Sequence, residues 1–303
     1  MSLLVRIPGI MLSNKTLVKC SRKIGEKICD TMKASNGEIT TEQIGDIIRG
    51  VIGKRNAKKI HILETKEKAI DYAVKNGLPA KDLTDMYGNI AGVAIPSKYK
   101  REAGLHIRNP QEFIKDGGNP FSEGIVRAQV VTHEVEHVLA NVLGKDYWYK
   151  KFSKIPCVKK YIDKQERLRQ ELKFQDVYNK LYTTAIETNN FNIDKAKELV
   201  ADVIGGYHHK DKLFIIKNLE RIFKDESRAY NVGFDAATKY SGVNFNEHKN
   251  KATGIFENLV EALKYEKNNK FRMRTLTEEE LKKYCDLGDL SKEQLDALLK
   301  EMG

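Results

Sequence analysis

Apolar residues recur at three- and four-residue intervals through the first 55 positions, a period that predicts helices. Leu17, Ile24 and Ile28 form one stripe, and Ile44, Ile47, Ile48 and Val51 form a second. Thr40 and Gln43 precede the second stripe at the spacing of a capping box. The period then shortens. KIHIL at 59–63 reads as a short strand, and a helix over about 67–75 should follow until GLP at 77–79 breaks it. GVAI at 92–95 and GLHIR at 104–108 are the next strand candidates. A basic loop through Pro96 joins them, so they are expected to form a hairpin.

A loop rich in glycine and proline at 117–120 ends at Ser122, a plausible N-cap. From there a helix should run through Val142, with Gly144 in the stop position. Helical patterning returns over about 157–187, 192–204 and 211–240, with GGYHH at 205–209 interrupting the last two. Two short helices should close the chain, with Thr277 and Glu280 in one capping box and Ser291 and Gln294 in another. The pattern predicts an α+β protein, dominated by helices, with one small β-sheet beside the helix that follows residue 122. Three segments are expected: 1–56 as an N-terminal helical segment, 57–245 as a central domain with a helical insertion at about 146–210, and 246–303 as a C-terminal helical segment.

Composition narrows the class. The 303 residues are 41% hydrophobic and 31% charged, as in a soluble globular protein. No stretch approaches the roughly 18 uncharged apolar residues that span a bilayer. The first residues, MSLLVRIPGIMLSNK, lack the basic start, long apolar region and cleavage site of a signal peptide, so a cytoplasmic location is expected. The four cysteines, at 20, 29, 157 and 285, form no CxxC pair and indicate neither a disulfide framework nor a cysteine zinc site. The net charge of +11 permits anionic partners such as nucleic acid, but basic clusters at 53–59, 97–102 and 148–154 match no nucleic-acid fold signature. A lysine-rich solvated surface is the preferred reading of the charge, which alone supports no nucleic-acid function.

The chemistry concentrates in VVTHEVEHVLA, residues 130–140. Residues four apart lie one above the other on a helix, so His133 and His137 can reach one cation. Imidazole nitrogen suits Zn²⁺, and a catalytic zinc takes three protein ligands while keeping one position open. Glu134 follows the first histidine, in the position of a general base that takes a proton from the attacking water.

The order of strand, helix, hairpin, HExxH helix and later helices resembles the zincin superfamily of metallopeptidases over about 58–144. Metzincins carry HExxHxxGxxH, but here Ala140 and Leu143 stand at the third and sixth positions after His137. The gluzincin branch remains, and it implies a zinc peptidase that hydrolyses polypeptides and draws its third ligand from a glutamate on a later helix. Two glutamates compete. Glu198 in ELVAD matches the ExxAD string, and Glu226 in ESRAY the looser ExxA form. Asp194, Lys195 and Asp202 make the face around Glu198 polar, whereas Leu219, Ile222, Phe223, Ala229 and Tyr230 surround Glu226. A carboxylate inside an apolar stripe is costly to bury unless it is paired or metal-bound, which favours Glu226 over Glu198.

Other candidates follow from the same resemblance. Tyr230, with Tyr207, His208 and His209 behind it, could donate to an oxyanion, or be a buried structural tyrosine. Strand 104–108 is expected to be the edge that holds extended substrate, with His106 facing it. His61 and His248 are read as structural or exposed. Glu136 departs from the family pattern, which usually has an uncharged residue there, and is expected to point to solvent. The alternative function is a basic interaction module for nucleic acid or an acidic partner, with a structural or inactive zinc site.

Overall fold

A computed structural model describes residues 12–77, 91–108 and 123–268 of the chain. Helix α1 (Asn14–Ala34) starts where the Ser13 hydroxyl accepts from the Thr16 amide, and it buries Leu17, Ile24 and Ile28. Helix α2 (Thr41–Ile52) opens on the reciprocal capping box of Thr40 and Gln43 and buries Ile44, Ile48 and Val51. A single turn, α3 (Lys54–Ala57), leads into strand β1 (Ile60–Ile62) and helix α4 (Lys66–Lys75). Strands β2 (Gly92–Pro96) and β3 (Ala103–Ile107) form the expected hairpin, with Val93 opposite His106 and Ala94 opposite Leu105.

The strand order is β1-β3-β2, with β1 parallel to β3. Among the described strands β3 is therefore the centre of this sheet and β2 an edge. The sheet packs on helix α5 (Glu123–Leu143), which carries the HEVEH sequence. A 3-10 segment (Lys145–Phe152) follows, then α6 (Pro156–Glu171), α7 (Phe174–Glu187), α8 (Ile193–Ile204), α9 (His209–Ser241) and α10 (Asn246–Asn268). The architecture is mostly helical with one small three-stranded sheet.

Two apolar cores organise these elements. The first joins α1, α2, β1, β3 and α5 through Leu17, Ile24, Ile28, Ile48, Leu105, Val131, Val135 and Leu139. The second joins α7, α8, α9 and α10 through Leu181, Val200, Ile216, Phe223, Phe256 and Leu259. Each of these side chains contributes on the order of 1.5–3 kcal/mol by leaving water. Helix α9 is 33 residues long and belongs to both: Ile215 to Phe223 lie in the second core, while Ala236 lies in the first. Glu226 sits between the two regions of the same helix.

One sequence expectation needs revising. The helix expected over 157–187 is two helices, broken at Leu172 and Lys173, where Lys173 takes a left-handed conformation at φ 47°. Residues 246–268 form one continuous helix packed along α9. The expected Ser122 cap, the loop at 117–120, the helices near 277 and 291, and residues 1–11 lie outside the described residues. No described helix is long and apolar enough to cross a membrane.

Candidate metal centre

Helix α5 buries Val131, Val135, Val138 and Leu139 against the first core, and this orientation turns His133, Glu134 and His137 toward a cleft beside α9. The two imidazole Nε2 atoms lie 3.1 Å apart. Glu226 reaches both: its Oε2 is 3.5 Å from His133 Nε2, and its Oε1 is 3.5 Å from His137 Nε2. The three side chains are 14%, 17% and 15% exposed, closed enough to limit water yet open to the cleft. One ligand atom from each lies within 4.8 Å of the others, and this is the only group of three or more such residues among the described residues that could hold a metal ion. Glu198 is exposed on α8, away from this group.

The close approach of α9 to α5 depends on a small residue. A Cβ at Gly233 would stand 3.0 Å from the Gln129 carbonyl oxygen and 3.4 Å from the His133 Cβ. Glycine here lets the helix carrying Glu226 come within reach of the histidines. On the other wall, a Cβ at Gly92 would meet Val130 at 2.9 Å and the Glu134 Cγ at 3.1 Å. Strand β2 thus runs directly beside Glu134.

Electrostatics binds the group together. Burial alone would push the Glu226 carboxyl up, but the two imidazoles outweigh it and hold the group well below the usual carboxylate range. Burial would likewise push His137 down, yet the charge and hydrogen bond of Glu226, with Glu134 and Asp225 behind, raise it to about 9. A metal ion would take over the balancing positive charge that the His137 proton otherwise supplies.

Further groups line the cleft, which encloses about 390 Å³. The Tyr230 ring meets His133 edge-on at 4.6 Å, and its hydroxyl shares a 3.0 Å hydrogen bond with the Tyr182 hydroxyl. Burial pushes both phenols up, so each keeps its proton near neutrality. Tyr182, from α7, escaped the sequence reading. Its one signal was a place beside Leu181 and Ala185 on a helix whose partner was unknown. Asn141 also lines the cleft; its amide donates to the His137 carbonyl oxygen at 2.9 Å, while its Oδ1 is buried without a hydrogen-bond partner.

Several expectations are corrected. Glu136 does not point to solvent; it is fully buried and accepts from the Ser21 hydroxyl and from Arg228 Nε at 3.0 Å. Arg228 also donates to Asp225, the residue before Glu226, so this buried ion cluster ties α1, α5 and α9 together. The sheet edge beside the cleft is β2, since β3 is paired on both sides. His106 is buried on β3, 2.6 Å from the Leu63 carbonyl oxygen, and does not line the cleft. Tyr207 donates to the Leu172 carbonyl oxygen, and His208 and His209 are exposed at the start of α9; none lines the cleft. His61 pairs with Glu102 at 3.3 Å, and His248 is exposed against Phe234 and Phe245.

Compared with protein-family profiles, curated proteins and solved structures, the chain matches none.

Proposed function

We propose that this protein is a zinc-dependent peptidase of gluzincin type, with His133, His137 and Glu226 as ligands and Glu134 as general base. One observation carries the reading. Three ligand atoms on a tetrahedral zinc with bonds near 2.0–2.1 Å must stand about 3.3 Å apart. Here the two imidazole nitrogens are 3.1 Å apart, each lies 3.5 Å from a different oxygen of Glu226, and one ligand atom from each of the three residues lies within 4.8 Å of the others, a spread that small side-chain adjustments close onto one ion. Two imidazoles and one carboxylate also form a donor set typical of catalytic zinc, with a position left for water. Zinc, when bound, supplies Lewis acidity toward a water and a substrate carbonyl.

The chain's own residues divide the remaining work. Glu134 lines the cleft one residue after the first ligand and takes the proton of the attacking water. It later returns that proton to the leaving amine. Tyr230, supported by Tyr182, donates to the oxyanion that forms on the carbonyl. Among the described residues β2 is the edge strand beside Glu134, so an extended polypeptide can pair along Gly92 to Pro96.

The test is zinc content and cleavage of a broad peptide library, measured on wild type and Glu134→Gln. Stoichiometric zinc in both, with cleavage lost by a factor of about 100 or more in Glu134→Gln, supports the reading. Stoichiometric zinc with equal activity in both, or no cleavage of any library member by the wild type, rejects it.

A further inference from the structure

A row of basic side chains lies away from the metal cleft. Along α9, Lys217, Arg221, Lys224 and Arg228 recur at intervals of four, three and four, a spacing that places them on one helix face. At 100° per residue this face lies opposite Glu226 and Tyr230. The four side chains and Lys145, at the start of the 3-10 segment, line a cavity of about 760 Å³ between α9, α6 and that segment.

We propose that this cavity is a binding site for a small, multiply charged phosphate compound. Its described lining holds five cationic side chains and one carboxylate, Glu220. Glu220 stands 3.6 Å from Lys224, and Arg228 is spoken for by Glu136 and Asp225. Among the described residues, Lys145 and Lys217 are in no ion pair. Arg221 presents a planar guanidinium beside them, a shape that suits phosphate oxygens.

Lys150, buried between the sheet and this region, is pushed down to about 7 by burial and then by the charges of Arg221 and Arg169. Like charges crowded on one side of a fold raise its energy, and an anion in the cavity would relieve that repulsion. The cavity's volume falls within the range typical of small-ligand sites, which favours a compact ligand over a docked polypeptide. Tyr149 and Tyr161, in edge-on contact at 6.0 Å, add ring surface to one wall. Phosphate, with several charges at high density, suits a wall where Lys145 and Lys217 stand beside further cationic side chains better than a single carboxylate does.

The site is independent of the proposed peptidase chemistry, and its test is arranged accordingly. Tripolyphosphate and ATP are titrated calorimetrically, at fixed ionic strength, into the full chain as wild type, as the Lys145→Ala/Lys217→Ala double variant, and as His137→Ala. The expected result is one-to-one binding that the double variant weakens tenfold or more, the loss of one to two charge-assisted contacts. His137→Ala should bind unchanged, which separates the cavity from chelation at the metal cleft. Equal affinity for the two probes assigns recognition to the phosphate chain, while tighter ATP binding adds the tyrosine rings. Binding that ignores the lysine pair, or that requires His137, overturns the proposal. So does capture of a polyglutamate peptide with no affinity for either phosphate.

Discussion

Glu136 accepts a 3.0 Å hydrogen bond from Arg228 Nε inside the protein, where the carboxylate has no exposure and the arginine side chain only 14%. The pair joins the HEVEH helix to the helix of Glu226, with Ser21 of α1 as a third partner and Asp225 as a fourth. A buried ion pair is weak evidence of net stability, but removing one partner leaves the other charged and uncompensated. Glu136→Ala should therefore destabilise the fold by about 3 kcal/mol or more, read by urea denaturation. Replacing both partners, as Glu136→Leu with Arg228→Met, should recover part of that loss. A double variant no more stable than Glu136→Ala would mean that the pair does more than balance charge.

Metal content separates the two glutamates that the sequence offers. Glu226 lies 3.5 Å from both imidazoles, whereas Glu198 is exposed on another helix. Glu226→Ala should lower zinc affinity by more than the roughly 10–100-fold typical of groups outside the ligand shell. Glu198→Ala should leave affinity unchanged. Competition with a chromophoric chelator measures both, and full retention of zinc by Glu226→Ala would remove that residue from the site.

The pH dependence of metal binding follows from His137. With its imidazole raised to about 9, the metal-free protein holds a proton there at neutral pH, and a metal ion must displace it. Zinc affinity should then rise by up to about tenfold per pH unit from pH 7 toward 9, and level off above. The stability of the metal-free protein runs the other way. A histidine raised in the folded state stabilises fully below its unfolded value near 6.5 and loses that contribution as pH rises through about 9. Glu226, depressed when folded, stabilises above its unfolded value near 4.5 and loses the contribution as pH falls. Thermal denaturation with and without zinc across pH 6 to 9 should show the two curves diverging as pH rises. Parallel curves would place the displaced proton elsewhere.

Gly233 sets the distance between α9 and α5. An alanine gains about 1 kcal/mol in helix propensity, but its Cβ would stand 3.0 Å from a backbone oxygen, and such overpacking costs about 1–3 kcal/mol. Gly233→Ala should thus be neutral to about 2 kcal/mol destabilising. Because the strain falls beside His133, zinc affinity should drop even where the melting temperature barely moves. An alanine variant that binds zinc as tightly as wild type would show that the helices can adjust without moving Glu226.

The helices were readable where one face carried a regular apolar stripe. Leu17, Ile24 and Ile28 are fully buried as their spacing implied, and the capping box at Thr40 is present. The apolar setting of Glu226 was also visible in a single helix, because the cost of burying an unpaired carboxylate is local information. The break at Lys173 was less visible, since no glycine or proline marks a left-handed lysine. Strand order was misread: residues 104–108, expected at the edge beside the cleft, form the central strand, because nothing in the strands themselves tells which neighbours will pair.

From the sequence come two histidines on one helix face with a glutamate next to the first, a later-helix glutamate among apolar residues, and the expectation of a small sheet near them. Helical period and burial cost act over a few residues, so these conclusions needed no partner. Only the tertiary structure decided that β2 rather than β3 borders the cleft, that Tyr182 joins Tyr230, and that Glu136 turns inward to Arg228. The last two depend on which surfaces meet across 48 and 92 residues of chain, and the first on β1 returning to pair with β3. A charged residue looks solvent-bound until the opposite charge arrives from another helix, and that arrival is a property of the packing.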